Sequence, residues 1–402
     1  MKKSVAVILA LFLLLCGCSS AQNISSVPAP SEEPQSLENT SSSGVWLSFS
    51  EINSMLDSTD GFKKEFEKVV ENCKGLKIEN LYVHVRAYCD SLFPSEYFPL
   101  ISRAEKYDFD IFEYIVDTCR QNGIRVHAWI NPYRVLTSST EITALDKDSP
   151  AYKWLSDDKS ENDVNVVKAN GIYLNPAEYE VRELVINGIR EILENYEVAG
   201  IHFDDYFYPT TDDSFDAESY AKYKSETENS LALDEWRRAN VNALISGCYT
   251  AVKFYDKDIL FTVSPAASIE NNYNNLYADV KSWVESGCVD YIIPQLYFGF
   301  EYPNPAFSFE NLLNEWEALV ECNDDVGLLI GLASYKIGTD AESDKAEWQS
   351  DDDIIARQVE NCYESDRVAG YVLFSYSSLF GEQELNTRQR ENLAEYIEKC
   401  EQ

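Results

Sequence analysis

Two adjacent carboxylates, Asp204 and Asp205, end a short apolar run and are followed at once by aromatic residues. The run reads G-I-H-F-D-D-Y-F-Y-P over 200–209. Successive side chains of a strand point to opposite faces, so His202 and Asp204 are predicted to share one face. A carboxylate in a partly buried site can act as an acid, a base or a nucleophile, or can stabilise a cationic transition state. An isolated Asp-Asp pair can also cap a helix, so the surrounding sequence has to decide between these roles.

Other short runs place polar and aromatic side chains at alternating positions, which puts them on one face of a strand. Such a set suits a carbohydrate, because sugars present flat apolar faces to aromatic rings and hydroxyl groups to carboxylates, amides and guanidinium groups. For any single aromatic residue, packing in the core is the alternative. The predicted sugar contacts are Arg86, His127, Trp129, Asn131, Tyr133, His202, Tyr206, Gln295 and Tyr297.

The three histidines of the chain, His84, His127 and His202, all fall on predicted inward positions. Three histidines could ligate a metal ion, but their strand positions place them below the rim of the site. A hydrogen-bonded layer that supports the carboxylates is therefore favoured. Because no Cys/His cluster has zinc-ligand spacing either, the sequence predicts neither a metal nor a cofactor.

The elements that must position these residues alternate from Gly44 onward between short β-rich runs and longer helical periods, a pattern typical of a parallel α/β sheet. Eight such units predict a (β/α)₈ TIM barrel over 44–402, with an enlarged loop after strand three (133–178) on the catalytic side. A doubly wound sheet is the alternative, but it would normally carry a Gly-rich turn after its first strand. The predicted strands are Val45–Ser50, Leu81–Ala87, Arg125–Asn131, Gly200–Asp204, Leu260–Ser264, Tyr291–Leu296, Gly327–Ala333 and Tyr371–Tyr376. The predicted helices are 61–75, 108–122, 178–196, 232–254, 276–286, 308–322, 351–365 and 384–400.

The amino-terminal segment is predicted to export the chain. Lys2 and Lys3 precede the apolar run Val5 to Leu15, which is too short to span a membrane stably and is typical of a signal peptide, here residues 1–17. The segment Leu15-Cys16-Gly17-Cys18 resembles a bacterial lipoprotein box, which implies cleavage before Cys18 and a lipid on its sulfur. Cleavage by ordinary signal peptidase is the alternative. We therefore expect a lipid-anchored protein on the extracytoplasmic face of the cell membrane, with residues 18–43 as a lipidated Cys and a flexible linker.

Charge and cysteine content limit the possible partners. The formal charge of −36 argues against nucleic acid and against a polybasic membrane contact. An exported chain could form disulfides, but there is no C-x-x-C and most cysteines beyond the signal segment fall singly in predicted helices. Buried free thiols are therefore favoured for Cys73, Cys89, Cys119, Cys248, Cys288, Cys322, Cys362 and Cys400.

Several motifs together resemble the glycosyl-hydrolase-like family ten, whose members include bacterial cell-surface lipoproteins. The resemblance implies a (β/α)₈ barrel that hydrolyses glycosides, with cell-wall glycan as the substrate. The matching blocks are R-A-Y (86–88), S-E-Y-F-P (95–99), V-H-A-W-I-N-P-Y-R-V (126–135), Y-L-N-P (173–176), G-I-H-F-D-D-Y-F-Y-P (200–209), V-D-Y-I-I-P-Q-L-Y (289–297) and Y-K-I-G (335–338).

The chain is also similar, more distantly, to the α-amylase clan at G-I-H-F-D-D, which implies that Asp204 is the nucleophile. In that clan the general acid ends strand five, but here 262–265 reads T-V-S-P and contains no carboxylate. Glycoside hydrolysis needs two carboxyl groups that flank the scissile bond. The candidates for the second are Asp205, if the strand ends and turns there, and Glu301, with Glu51 and Glu96 as weaker ones.

Three functions are compatible with these residues. A glycosidase that acts on peptidoglycan or a related surface polysaccharide is favoured. A surface lipoprotein that binds glycan without cleaving it is the alternative, and the missing acid on strand five favours it. A metal-dependent polysaccharide deacetylase would need a His/Asp ligand cluster at the rim.

Overall fold

Eight parallel strands close into a barrel, with helices between them, in a computed structural model that describes residues 42–339 and 345–400. This confirms the predicted (β/α)₈ fold. The predictions for the signal peptide, Cys18 and most of the linker lie outside the described residues. The barrel strands, in their order around the barrel, are β1 (Ser42–Leu47), β2 (Asn80–Arg86), β3 (Arg125–Ile130), β7 (Gly200–Phe203), β8 (Leu260–Val263), β9 (Tyr291–Ile292), β10 (Gly327–Leu332) and β11 (Val368–Leu373).

The predicted enlarged loop after the third strand contains a small antiparallel sheet of β4 (Arg134–Leu136), β6 (Ile172–Leu174) and β5 (Val166–Lys168). These strands are three residues long, too short for a hydrophobic period to reveal them in the sequence. The sixth barrel strand ends at Ile292, earlier than predicted, because Pro294 has no N–H for the ladder. Gln295 still makes isolated bridges to Ala266 and Gly331.

The outer helices bury one face each against the barrel. In the third helix, Ile111, Ile115 and Cys119 recur at a spacing of four and are buried, as expected for an amphipathic helix. The Asp110 carboxylate caps this helix by accepting from the backbone N–H of Phe112. The helices are α1 (Phe49–Met55), α2 (Thr59–Gly75), α3 (Ile111–Gln121), α4 (Pro150–Ser156), α5 (Tyr179–Asn195), α6 (Ala217–Glu226), α7 (Leu233–Tyr255), α8 (Ile269–Asn275), α9 (Val280–Ser286), α10 (Phe309–Val320), α11 (Lys345–Ser350), α12 (Ile354–Glu364), α13 (Tyr376–Leu379) and α14 (Glu384–Cys400).

The barrel interior is filled by a second hydrophobic cluster, distinct from the one between strands and helices. Its buried members are Trp46, Tyr82, Trp129, Ile293, Leu329 and Val372. The strands run in parallel, so all their carboxyl ends meet at one face, which we call the rim, and β1 begins at the opposite face. None of the described helices is long and apolar enough to cross a membrane.

All eight cysteines of the described residues are free thiols. Six are buried, and only Cys322 and Cys400 are exposed. Burial raises the pKa of the Cys73 thiol to about 12, so this thiol stays protonated and packs as a small apolar group.

Candidate active site

Asp204 lies at the rim in a cage of N–H donors. Strand β7 ends at Phe203, so Asp204 is the first residue beyond it. The Trp129 indole Nε1 donates to its Oδ2 at 3.0 Å, and the Asn131 Nδ2 donates to its Oδ1 at 3.0 Å. The side chain is almost fully enclosed, because the residue is only 4% exposed. These donors fix the carboxylate and stabilise its ionised form.

Asp205 also lies at the rim, although the side chains of successive residues in a strand, such as Asp204 and Asp205, would point to opposite faces. The Gln295 Nε2 donates to Asp205 Oδ1 at 3.0 Å and to the Ser264 carbonyl at 3.0 Å. The strict alternation of a strand no longer applies beyond Phe203, and the condition stated for Asp205 in the sequence analysis, that the strand ends there, is met. Gln295 can reach Asp205 because β9 is short and Gln295 lies beyond its end.

The two carboxyl groups form an electrostatic pair. Burial and the charge of Asp205 raise the pKa of Asp204 to about 7, against the opposing effects of the Trp129 hydrogen bond and the Arg134 charge. Burial also raises the pKa of Asp205, whereas the Gln295 hydrogen bond lowers it. Because neighbouring buried carboxylates cannot ionise independently, the apparent pKa values belong to the pair. The pair therefore holds one proton over a range that ends near neutral pH.

The cation of the site is Arg134, which the sequence analysis did not single out. Its guanidinium lies 4.4 Å from the ring centroid of Tyr206 and 5.1 Å from that of Tyr88. Its charge lowers the pKa of both aspartates. The backbone N–H of Arg134 donates to Asn131 Oδ1 at 3.0 Å, which turns the chain back over the rim. In the sequence, Arg134 ends the run N-P-Y-R (131–134) directly after the third barrel strand. It therefore lies beyond the positions to which alternation applies.

Aromatic rings surround the acid pair. Tyr297 stacks on Phe374 with centroids 5.7 Å apart, and Tyr335 meets its edge. Tyr206 is 51% exposed and thus available to a ligand. Burial raises the pKa of Tyr297 well above its usual value, and the charges of Asp205 and Asp204 contribute to this shift. The rim thus combines acids, a cation and accessible rings, as a sugar site requires.

Arg86 does not lie at the rim, which corrects its prediction as a sugar contact. The pairing of β2 with β3 shifts register between His84 and Arg86, so the alternation that predicted an inward Arg86 is broken there. Its guanidinium packs on the Phe98 ring at 4.4 Å. Its Nη1 lies 3.4 Å from the position that a Cβ on Gly188 of α5 would occupy, so Arg86 is under the outer helices.

The prediction of Tyr133 as a sugar contact is also wrong. It is fully buried in the core between strands and helices, and its carbonyl accepts from the N–H of Leu174 in the small sheet. Tyr133 follows the end of β3, where alternation along a strand no longer gives the direction of a side chain. With no exposed surface, Tyr133 supports the loop.

His127 and His202 lie deeper in the barrel than a sugar can reach. His127 Nε2 lies 3.1 Å from Asn80 Oδ1, and the His127 ring stacks on Tyr82. Both histidines point inward as predicted, but one layer below Asp204. Their predicted contact with substrate is therefore wrong, and they support the interior.

His202 is held from both sides of its ring. Its Nε2 accepts from Trp46 Nε1 at 3.0 Å, which places its proton on Nδ1, 2.8 Å from Thr262 Oγ1. Burial lowers the pKa of His202 well below its usual range, so the ring is neutral. No group of His, Cys, Asp and Glu within the described ranges could hold a metal ion.

The other candidates for the second acid are used elsewhere. Glu301 is exposed, and no contact between it and either aspartate is found in the described part of the chain; its backbone N–H donates to Glu347. Glu51 Oε1 accepts from Ser375 Oγ at 2.9 Å, and its Oε2 accepts from a backbone N–H, so Glu51 fastens α1 to the end of β11. Glu96 is exposed on the outer side, where it lines a cavity with Glu191. Asp205 therefore remains as the partner of Asp204.

A buried ion pair braces the loop that carries Tyr206. Arg237 of α7 donates to Asp216 Oδ1 at 2.6 Å, and both side chains are 0% exposed. Arg237 also donates to the Tyr277 hydroxyl and lies against the Tyr208 ring. The loop after β7 is thus anchored to α7 by a pair that water does not reach.

Replacing Asp216 by Asn is expected to lower the free energy of unfolding by about 3–5 kcal/mol, because it leaves the Arg237 charge buried and uncompensated. Urea unfolding measures the loss. Glu65→Gln is the matched control, because Glu65 pairs with Lys68 on the surface and its loss should cost less than about 1 kcal/mol. Equal losses for both variants would contradict the role of burial.

The raised pKa of the acid pair predicts the basic limb of the pH profile. If turnover needs the singly protonated pair, kcat/KM should fall as the pH rises through about 7, where the pair loses its remaining proton. In Asp205→Asn only Asp204 is left to titrate, and an activated substrate needs no acid, so the basic limb should be absent. The rate should instead rise with pH as Asp204 ionises, at a lower pH than in the wild type because the charge of Asp205 is gone. A basic limb near pH 7 in Asp205→Asn would contradict the coupling.

The comparisons with known proteins agree with this architecture. A model of the family described as Glycosyl hydrolase-like 10 matches residues 42–350. The chain is 27% identical over 341 residues to Glycosyl hydrolase YngK of Bacillus subtilis (strain 168), covering 79% of this chain and 64% of that protein. It is 28% identical over 375 residues to Glycosyl hydrolase DigH of Escherichia coli (strain K12), covering 83% of each chain.

A solved structure shares the fold at much lower identity. The PgaB (BpsB) glycoside hydrolase domain from Bordetella bronchiseptica superposes with a TM-score of 0.59 at 13% identity, covering 88% of this chain and 98% of that one. This likeness bears on the fold alone. The chain spans 64% of the length of the Bacillus relative and most of the Escherichia one.

Proposed function

Because this chain belongs to the glycosyl hydrolase-like 10 family, we propose that it hydrolyses glycosidic bonds of peptidoglycan or a related surface polysaccharide. One observation carries the proposal: Asp204 and Asp205 lie together at the carboxyl ends of the barrel strands, each held by a side-chain amide or indole donor. Two carboxyl groups at this place are the minimum that glycoside hydrolysis requires.

In the proposed mechanism Asp204 is the anion that faces the anomeric carbon. Its oxygens accept from Trp129 and Asn131, so the carboxylate is in place before the reaction and need not reorganise. As the glycosidic bond breaks, positive charge develops on the sugar ring, and a fixed carboxylate in a site with little water stabilises it strongly.

Asp205 is the proposed general acid. It is less enclosed than Asp204, and a single side-chain amide, that of Gln295, fixes one of its oxygens. It donates its proton to the glycosidic oxygen as the C–O bond breaks, and water then supplies the hydroxyl group at the anomeric carbon. The raised pKa of the pair keeps that proton available close to neutral pH.

The substrate class is proposed from the rim. The half-exposed Tyr206 offers a ring to sugars, and Arg134 offers donors to hydroxyl or acyl oxygens. The formal charge of −36 disfavours polyanionic substrates such as nucleic acid. With export and lipid anchoring, a glycan of the cell envelope is the polymer that the enzyme would meet.

The full-length chain, purified from membranes in detergent, tests this proposal. The purified protein is incubated with peptidoglycan sacculi and with soluble envelope polysaccharides. New reducing ends are quantified, and the products are identified by mass spectrometry. The proposed hydrolase yields soluble fragments, and the Asp204→Asn variant yields none. If no wild-type preparation releases fragments while the chain is still retained on sacculi, the non-catalytic glycan-binding lipoprotein is favoured instead.

The proposed anchor is tested by Cys18→Ser. Removing the thiol that would carry the lipid should release the protein from the membrane fraction or leave its signal peptide uncleaved, because one thioether holds the lipid. Membrane fractionation and intact mass report both outcomes, and Cys16→Ser is the matched control in the same segment. An unchanged distribution and mass in Cys18→Ser would contradict lipid anchoring.

A further inference from the structure

The Asn131 side chain links the acid pair to the loop that carries Arg134. Its Nδ2 donates to Asp204 Oδ1 at 3.0 Å, and its Oδ1 accepts from the backbone N–H of Arg134 at 3.0 Å. Only this orientation of the amide satisfies both contacts, because an ionised carboxylate can only accept and a backbone N–H can only donate. The direction of the Asn131 side chain therefore affects both the Asp204 carboxylate and the turn of the loop.

The main chain of Asn131 is held by Arg86. The N–H of Asn131 donates to the Arg86 carbonyl at 2.8 Å, and Nη2 of Arg86 donates to the Asn131 carbonyl at 3.4 Å. Strand β2 ends at Arg86 and β3 ends at Ile130. The two bonds thus extend the pairing of these strands by one residue, to the residue whose side chain bonds Asp204.

The Arg86 guanidinium is buried without a carboxylate partner. The residue is 4% exposed, its Nε and Nη1 have no hydrogen-bond partner within 42–339 and 345–400, and the Phe98 ring covers it. Burial lowers its pKa to about 10, so it is still charged at neutral pH. Burying an unpaired charge is unfavourable, so packing alone would favour a neutral side chain here. The hydrogen bond to Asn131, which the charge strengthens, is the contact that a neutral apolar residue would lose.

We propose that Arg86 is a positioning residue for the reaction: through the main chain of Asn131 it fixes the side-chain amide that orients the Asp204 carboxylate. The inference rests on the proposed function. Without the guanidinium, the Asn131 carbonyl loses its donor and the amide is less restricted. The carboxylate is then held less firmly in the place where charge develops, and misplacement by about 1 Å can lower a rate about 10²-fold.

Replacing Arg86 by Met tests the role of the guanidinium. On a glycan that the wild type cleaves, kcat should fall about ten- to hundredfold, with little change in the dissociation constant, because Arg86 lies below the rim. The midpoint of urea unfolding should not fall, because the variant removes a buried unpaired charge. A purely structural role predicts the reverse. A kcat within about twofold of the wild-type value would overturn the proposal.

Val185→Ala is the matched control for Arg86→Met. Val185 is fully buried on α5, the helix whose Gly188 lies against the Arg86 guanidinium. The smaller side chain leaves a cavity, so the urea midpoint should fall while the kcat of the folded protein stays at its wild-type value. An equal loss of kcat in Val185→Ala would show that any disturbance under α5 suffices, which would overturn the specific role of Arg86.

A double-mutant cycle tests the route through Asn131. Asn131→Ala leaves the carbonyl that Arg86 bonds but removes the amide that this bond would position. Adding Arg86→Met to Asn131→Ala should therefore cause no further loss of kcat, measured with a dinitrophenyl glycoside so that low rates are still detected. If the two losses multiplied, Arg86 would act by another route, and the proposal would be wrong.

Hydrogen exchange of the Asn131 side-chain amide gives a readout that needs no turnover. In protein labelled with ¹⁵N-asparagine, its NMR signals are identified by their absence from Asn131→Ala. Exchange should be about tenfold faster in Arg86→Met than in the wild type, since a hydrogen bond that opens more often protects less. It should be unchanged in Val185→Ala. Equal exchange rates in Arg86→Met and the wild type would overturn the proposal.

The outcomes separate this inference from the proposed function. If exchange accelerates as expected in Arg86→Met but the wild type cleaves no glycan, the positioning of Asn131 stands and hydrolysis is what fails. If the wild type cleaves glycan and Arg86→Met changes neither exchange nor kcat, the positioning role fails and the proposed function stands.

Discussion

Replacing Asp204 by Asn is expected to lower kcat on the order of 10³-fold or more on any glycan that the wild type cleaves. The substitution keeps the shape of the side chain and removes the negative charge that would stabilise the developing oxocarbenium ion. Sugar binding should survive, because Tyr206 and Arg134 are untouched. The expected signature is therefore a loss in kcat with little change in the dissociation constant.

The experiment needs a check on folding, because an Asn amide can accept from only one of the two donors, Trp129 and Asn131, that now bond Asp204. The Asp204→Ala variant provides this check on folding. Added formate can occupy the space of the lost carboxylate and should restore part of the rate if the rest of the site is intact. Asp213→Asn removes an equal charge from an exposed position in the same loop and should have no effect. Turnover like that of the wild type in Asp204→Asn would refute the mechanism.

Replacing Asp205 by Asn is expected to lower the rate about 10²–10⁴-fold on natural glycans, the range for loss of a general acid. The loss should nearly disappear with a dinitrophenyl glycoside, because that leaving group departs without a proton. This dependence on the leaving group is what identifies the acid, since a merely structural defect lowers both rates alike.

Glu301→Gln is the matched control for Asp205→Asn. Glu301 was the other candidate for the acid in the sequence, but it is exposed and its backbone is tied to Glu347. Its removal should leave both substrates at their wild-type rates. If Glu301→Gln instead showed the loss on natural glycans and the rescue with the dinitrophenyl glycoside, the proton would come from Glu301, and the assignment of Asp205 would be wrong.

The strand positions of the site could be predicted from the sequence because alternation within a barrel strand is a local property. Trp129 follows from it, and so do Asn131 and Asp204, each the first residue after its strand; the structure joins all three by hydrogen bonds. The prediction for Arg86 was wrong because a register shift in β2 breaks the alternation. No residue type in that run indicates the shift. Such irregularities are set by the neighbouring strand, which a local pattern does not contain.

Residues beyond the strand ends were harder to predict. Arg134 and Tyr133 are neighbours in the same loop, yet one covers the acid pair and the other is buried in the core. Their directions depend on the turn that Asn131 makes and on the small sheet of β4, β5 and β6, neither of which has a periodic signature. Asp205 was left as a conditional candidate for the same reason, because its direction depends on where β7 ends.

The parallel barrel gives this domain a front and a back. The first strand starts at Ser42, on the face opposite the acid pair, so the described part of the chain begins behind its candidate site. Changes at that opposite face therefore leave the rim loops, and the acid pair that they surround, in place.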